Sequence, residues 1–361
     1  MMKKYRLILY LWISLFATTL IAIDITSDFS IDGHLLGIHS ALYQNNNHKS
    51  AFDVASNLTV TYDLSKELKT TLQLQGGAGE SNLGLQGPSM QVTDLSIEYQ
   101  LDKTFTLCFG SFDTPFGQET HYLSNNADTF AEVFVLNDLS YEAFAGFMGT
   151  LNTLGIKVEK RLPWADIIAS ISNGSGENAV NEDNNYGTVL QVASSKLLPK
   201  TRASFTYWKS DDTADQQSEQ SNSFNTNLDA WMLDAVFTHH SHKFSGYLAL
   251  FTFADNLAAT NDKVSSYAVA YSYKWQKYQL GLRISQWTPK DHSGDGQGVS
   301  VGIKSPGLNT SRTIDDRCTR YQVAFSYKLK KELLWIAELI NDNYAHANKS
   351  LRIVSGLNVH F

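Results

Sequence analysis

The longest stretch without basic residues among the candidate charged segments lies between Gly110 and Thr153. It holds Asp113, Glu119, Asp128, Glu132, Asp138 and Glu142 and no lysine or arginine. Carboxylates lining a confined water path draw in cations, because fixed charge sets ion preference along such a path. Farther on, Lys157, Arg202, Arg283, Arg320 and Arg352 each alternate with apolar neighbours. An acidic segment facing a basic wall would set up a transverse field that favours small hydrated polar solutes over apolar ones. Bond-making chemistry has weaker support. Ser172 precedes Asn173-Gly174, but Ser170, not a histidine, stands two residues before it. A serine hydroxyl without a positioned base is a poor nucleophile. His239, His240 and His242 cluster at a turn with no acidic orienter beside them. Gly76-Gly77-Ala78-Gly79 lacks the lysine of a phosphate-binding loop. The segment Asn181-Glu182-Asp183-Asn184-Asn185 lacks calcium-loop spacing. No cofactor and no metal is expected.

The elements that must position these charges are strands. In the closing run from Leu351 to Phe361, Leu351, Ile353, Leu357, Val359 and Phe361 share one parity, and Arg352, Asn358 and His360 the other. Successive strand side chains point to opposite faces, so this strand has one apolar and one polar face. The pattern recurs in runs bounded by turn residues. Phe29–Gln44 comes first, then Ala51–Leu64 and Lys69–Gln75 across Ser65-Lys66-Glu67. Val92–Leu101 and Phe105–Phe109 join at Asp102-Lys103-Thr104, and Leu154–Glu159 and Ala165–Ser172 join around Pro163. Tyr186–Ser194 meets Thr201–Trp208, Leu228–Thr238 meets Phe244–Phe253, and Ser265–Tyr273 meets Tyr278–Gln286. Arg320–Leu329 and Leu333–Leu339 precede the closing run. Leu333-Leu334-Trp335-Ile336-Ala337 is apolar on both parities and reads least clearly as a strand.

About sixteen strands, joined by about seven short turns and eight longer connections, predict an all-β fold: a transmembrane antiparallel β-barrel, apolar outside and polar inside. Tyr62, Tyr99, Tyr207, Tyr267, Tyr273, Tyr321 and Tyr327 fall on the apolar parity, as interfacial aromatic belts do. Asp53, Asn57, Asp63, Gln73, Asp94 and Glu98 fall on the inward one. A soluble β-sandwich would also alternate, but its strands are usually shorter and its outer face wet. The phenylalanines of the acidic segment, Phe112, Phe116, Phe130, Phe134, Phe144 and Phe147, predict a long third loop folded into the barrel.

A basic start, Met1-Met2-Lys3-Lys4-Tyr5-Arg6, leads into a mostly apolar run from Leu7 to Ile23. This reads as a secretory signal over residues 1–23, leaving 24–361 as one barrel domain in the bacterial outer membrane. A net charge of −7 argues against a nucleic-acid partner. The chain has two cysteines, Cys108 and Cys318, and the sequence alone does not decide whether they pair.

Gly110-Ser111-Phe112-Asp113-Thr114-Pro115-Phe116-Gly117-Gln118-Glu119 resembles the G-x-F-x-x-P-F-G-x-E signature of the phosphate-selective porin O/P family. Gly110, Pro115, Phe116 and Gly117 carry the likeness, together with Ser172-Asn173-Gly174 and Leu197-Leu198-Pro199. The resemblance implies a sixteen-stranded outer-membrane diffusion channel that assembles as a homotrimer, with lipid and small hydrophilic solutes or ions as its partners. Phosphate selectivity does not carry across, because those members line the constriction with basic residues where this chain has carboxylates. The expectation is a weakly selective or cation-leaning pore. An anion-specific channel and a non-conducting structural barrel are the alternatives. An apolar fatty-acid channel is disfavoured by the polar inward parity, and an enzyme by the absence of a base beside Ser172.

Overall fold

The computed structural model describes residues 29–44, 47–78, 89–116, 134, 152–173, 186–213, 225–254, 262–290, 317–345 and 349–360. The segment 1–23 read as a secretory signal lies outside them.

Sixteen strands account for nearly all of these residues. They are β1 (Phe29–Gln44), β2 (Asn47–Asp63), β3 (Leu68–Ala78), β4 (Ser89–Asp102), β5 (Phe105–Asp113), β6 (Asn152–Arg161), β7 (Asp166–Ser172) and β8 (Gly187–Leu198). The second half is β9 (Thr201–Thr213), β10 (Asn225–His239), β11 (His242–Ala254), β12 (Asp262–Trp275), β13 (Tyr278–Lys290), β14 (Cys318–Lys330), β15 (Leu333–Tyr344) and β16 (Ser350–His360). Each strand pairs antiparallel with its neighbours in sequence, and β1 pairs with β16 to close the barrel. No helix among the described residues is long and apolar enough to cross a membrane.

Turn chemistry explains why seven connections at one end stay short. The Ser65 hydroxyl accepts the N–H groups of Glu67 and Leu68 at 3.2 and 3.1 Å. The Asp102 carboxylate accepts the Thr104 N–H at 2.6 Å and its hydroxyl at 2.7 Å. Such local side-chain bonds turn the chain without a ladder partner. In the two-residue turns after β8, β10 and β12, Lys200, His240 and Gln276 take the left-handed conformation, with φ of 60°, 53° and 51°.

The strands run longer than the alternation alone marked. β2 begins at Asn47 and pairs with β1 up to Gln44, leaving only residues 45–46 between them. Asn47 and His48 pair with Gln44 and Tyr43, ahead of the Ala51 at which the alternation begins. β15, ambiguous by pattern, is a full strand hydrogen-bonded to β14 and β16.

The two faces differ as the alternation predicts. Leu95, Ile97, Tyr99, Leu233, Leu248, Leu250, Val269, Leu282, Ile284 and Tyr321 are exposed on the outside. A surface this apolar is suited to lipid rather than water. Asn57, Gln73, Ser96, Ser170, Gln191, Thr206, Ser266, Ser285 and Gln322 are buried on the inside. The interior also has apolar patches that the polar parity did not foretell. Ile38, Ile340 and Val354 pack together there with Leu36. Both cysteines are buried and unbonded, Cys108 on β5 and Cys318 on β14.

One backbone position is set by close approach. Gly110 has φ of 120°, and a Cβ there would overlap the Leu95 carbonyl oxygen and lie 2.9 Å from the Ser96 Cα. Gly110→Ala is therefore expected to cost about 3 kcal/mol or more through strain and a forced shift of β4. The measurement is the fraction of refolded protein with barrel-type, heat-shifted electrophoretic mobility. Wild-type yield from the variant would contradict this reading.

Candidate functional site: the lumen

The lumen is organised at the point where the chain leaves β5. Phe112 ends the inward row of that strand, buried, with the Lys157 ammonium 5.4 Å from its ring centroid. Thr114 meets Thr153 of β6 at 3.4 Å. The Pro115 carbonyl accepts a hydrogen bond from the Gln191 side-chain amide of β8 at 3.3 Å. The Phe116 ring lies 5.5 Å from Trp208 of β9 and 6.0 Å from Phe251 of β11. Phe251 in turn lies 5.7 Å from Trp287 of β13. Residues 114–116 thus step along the inner wall away from their own strand, each held by a more distant one. Proline has no N–H to leave unpaired at this departure from the ladder. Its carbonyl still needs a donor, which Gln191 supplies.

Phe134 lies across the barrel. It is buried against Ala270 of β12 and Ala324 of β14, and the Arg283 guanidinium sits 4.4 Å from its ring centroid. β13 is eight strands from β5 in a ring of sixteen, so Phe134 packs on the wall opposite the strand that leads to it. A guanidinium over an aromatic face is favourable, and more so when desolvated.

The same wall carries a connected set of charges. Arg283 donates from Nε to the Gln322 side-chain carbonyl at 2.7 Å, and the Gln322 amide donates to Glu338 at 2.8 Å. One ladder row away, Arg320 grips Asp342 through Nε at 2.7 Å and Nη2 at 3.1 Å, and Arg352 reaches the same carboxylate at 2.9 Å. Arg320, Asp342 and Arg352 are all 1 % exposed or less. Charges this buried persist because each faces a counter-charge with good geometry. Three arginines oppose two carboxylates here, so this stretch of β13–β16 is net positive.

The remaining charges named from the sequence are spread around the barrel. Lys157 is on β6, on the β5 side, paired with Glu159 at 3.2 Å. Arg202 is exposed near the short-turn end of β9. Asp113 closes β5, paired in register with Asn152. Glu119, Asp128, Glu132, Asp138, Glu142 and Gly117 lie outside the described residues. The five basic residues are therefore not one wall: Arg283, Arg320 and Arg352 gather, while Lys157 and Arg202 stand apart. Gln322, Glu338 and Asp342 were not singled out from the sequence. Their signal was inward parity beside the arginines. Ending β15 at Leu339 hid Asp342, and the all-apolar start of the strand blurred the parity of Glu338.

Ser170 and Ser172 are buried on the inward face of β7, with Ser172 at the end away from the short turns. His239, His240 and His242 flank a short turn at the other end of the barrel, where His242 contacts the Tyr271 hydroxyl at 2.9 Å. No histidine is thus positioned to activate Ser172 among the described residues.

No family model matches the chain, and no curated protein matches it in sequence. Solved structures do match its fold. OprB of Pseudomonas putida is similar with a TM-score of 0.64 at 12 % identity, over 92 % of this chain and 94 % of that one. OmpF of Salmonella typhi, solved with daunomycin, matches with a TM-score of 0.63 at 12 % identity, over 92 % and 97 %. The trimer form of in-vitro folded OmpT, an outer membrane protein of Vibrio cholerae, matches with a TM-score of 0.61 at 9 % identity, over 93 % and 100 %. These neighbours are bacterial outer-membrane barrels, and at such identities the likeness is one of fold.

The buried charge set yields a direct expectation. Asp342→Asn leaves Arg320 and Arg352 facing each other without their shared carboxylate, and should destabilise the barrel by about 3 kcal/mol. Denaturant unfolding in detergent, followed by tryptophan fluorescence, measures it. A midpoint unchanged from wild type would mean that the trio adds nothing to stability.

Proposed function

We propose that the protein is an outer-membrane porin that passes small hydrophilic solutes or ions by passive diffusion, with no chemical step and no cofactor. The observation that carries this reading is the pairing of a lipid-compatible exterior with a closed interior holding arginines, carboxylates and amides. Charge and hydrogen-bonding groups on the inner wall are what a conduction path for hydrated solutes needs. The resemblance of Gly110–Glu119 to the phosphate-selective porin signature supports the same class. The reading includes a homotrimer, supported by that resemblance and by the trimeric form of one structural neighbour.

The carboxylates of 119–142 and the arginines of β13–β16 would act together on solutes in this reading. Phe134, set against Arg283, ties the third connection to the basic wall. Acidic residues on that connection would then lie near the arginines and make the narrowest region polar across its width. The expected result is weak selectivity that leans toward cations. A second reading, an anion-preferring channel, is favoured by the net positive balance of Arg283, Arg320 and Arg352 over Glu338 and Asp342.

Planar-bilayer recording in a salt gradient separates the two. Under the cation-leaning reading, the triple replacement Asp128→Asn, Glu132→Gln, Asp138→Asn moves the reversal potential toward the anion value. An unchanged potential would place the filter elsewhere, and a wild-type potential already at the anion side would favour the second reading. A purified, folded barrel with no current steps would remove the porin assignment.

A further inference from the structure

Near the short-turn end, the inner wall carries two histidines side by side. His34 of β1 and His360 of β16 stand directly opposite each other in register. Both fall on the inward parity, with Ile38 and Leu42 buried on β1 and Arg352 and Val354 buried on β16. The His360 N–H donates to the Glu332 carbonyl of β15 at 2.8 Å. A strand residue turns its N–H and C=O toward the same neighbour, so toward β1 this is a non-hydrogen-bonded pair. Side chains approach most closely at such pairs. The two rings lie 6.1 Å apart between centroids, tilted by 41°. Both are half-buried, which leaves them within reach of the lumen.

The barrel's own bonding accounts for neither ring. No described residue forms a hydrogen bond with the nitrogens of His34 or His360. The histidines of the β10–β11 turn differ, since His239 Nδ1 meets the Lys200 ammonium at 2.7 Å and His242 Nδ1 meets the Tyr271 hydroxyl at 2.9 Å. A second polar group beside the pair is also unsatisfied. Asn358 takes the next inward position on β16, diagonal to His34, and its Oδ1 is buried with no hydrogen-bond partner. A buried acceptor left without a donor is costly, and such a group marks a place where something else binds. Asp32, two residues from His34 on the same face, is exposed and adds negative charge nearby.

We propose that His34 and His360 form a binding site for a divalent transition-metal ion, with the Asn358 side-chain oxygen as a further donor. An ion midway between the rings would lie about 3 Å from each centroid. That equals the ~2.0 Å metal–nitrogen distance plus roughly 1 Å from nitrogen to ring centre. Imidazole nitrogens select copper, nickel and zinc over magnesium and calcium, and copper binds tightest. No group of three or more histidine, cysteine or carboxylate side chains among the described residues could hold a metal ion. Water therefore completes the coordination, and the ion exchanges with the lumen. The site needs only the closure of β1 on β16, whatever the barrel conducts.

The test titrates Cu²⁺ alone into the mature, untagged full-length protein in detergent at neutral pH. Calorimetry reads the affinity, and electron paramagnetic resonance reads the coordinating nitrogens. Wild type should bind Cu²⁺ with couplings from two imidazoles. His34→Asn and His360→Asn should each remove one coupled nitrogen. Each should weaken binding by more than the ~10-fold that loss of an outer-shell partner costs. His239→Asn combined with His242→Asn should leave that signal unchanged. Heat-shifted mobility shows which variants fold, and the two single variants lie on different strands, so either one suffices. A wild type without a two-nitrogen Cu²⁺ signal, or a signal that survives a folded His34→Asn or His360→Asn, would overturn the assignment.

Discussion

Every peptide group that crosses hydrocarbon must find its hydrogen-bond partner within the protein. A sheet meets that demand only if it has no edge. Here the last described strand closes on the first, with eleven residue pairs from His34–His360 to Gln44–Ser350. Closure forces every strand to divide its side chains between two solvents, lipid and lumen. The alternation of Leu351, Ile353 and Leu357 with Arg352 and Val354 is the local record of that division, with Val354 facing in where the inner wall turns apolar.

Closure also creates an interior in which charge can be buried without being lost. Arg320, Asp342 and Arg352 belong to three adjacent strands and meet because antiparallel registers bring them to neighbouring rows. Gln322 extends the connection by using both ends of its amide, accepting from Arg283 and donating to Glu338. Low local polarity strengthens such bonds and makes any missing partner expensive, so the set stands or falls as a unit. The aromatic line Phe116, Trp208, Phe251 and Trp287 serves the complementary purpose. It gives the segment leaving β5 an apolar footing on the wall, and Phe134 finds another on the far side.

Most of the architecture was legible from alternation because a period of two has few other causes over runs of this length. Phe29–Gln44 was read with the bounds the structure has. Ladder pairing lengthened most of the others, since hydrogen bonding continues past the point where hydrophobicity fades. β15 was the hard case. Leu333-Leu334-Trp335-Ile336-Ala337 has no parity contrast, because Ile336 is buried on the inward face, and farther along the strand Ile340 joins an apolar patch of the lumen with Ile38 and Val354. That patch depends on strands β1 and β16, remote in sequence at one side, and no local pattern could announce it. The charged site was read only in part for the same reason. The arginines are visible by parity, but Asp342, the carboxylate that Arg320 and Arg352 share, lies beyond the apolar run of β15.

By itself the sequence determined the class of solution: period-two runs, turn residues between them, and apolar and polar parities that suit a closed barrel better than a sandwich. Those features are local, and local steric and solvation rules suffice to read them. The tertiary structure alone decided which charges meet. Register and ring position bring Arg320 to Asp342 and Phe134 to Arg283, while leaving Lys157 on the other side with Glu159. Distance in a closed ring is set by strand order and stagger, which no single strand encodes.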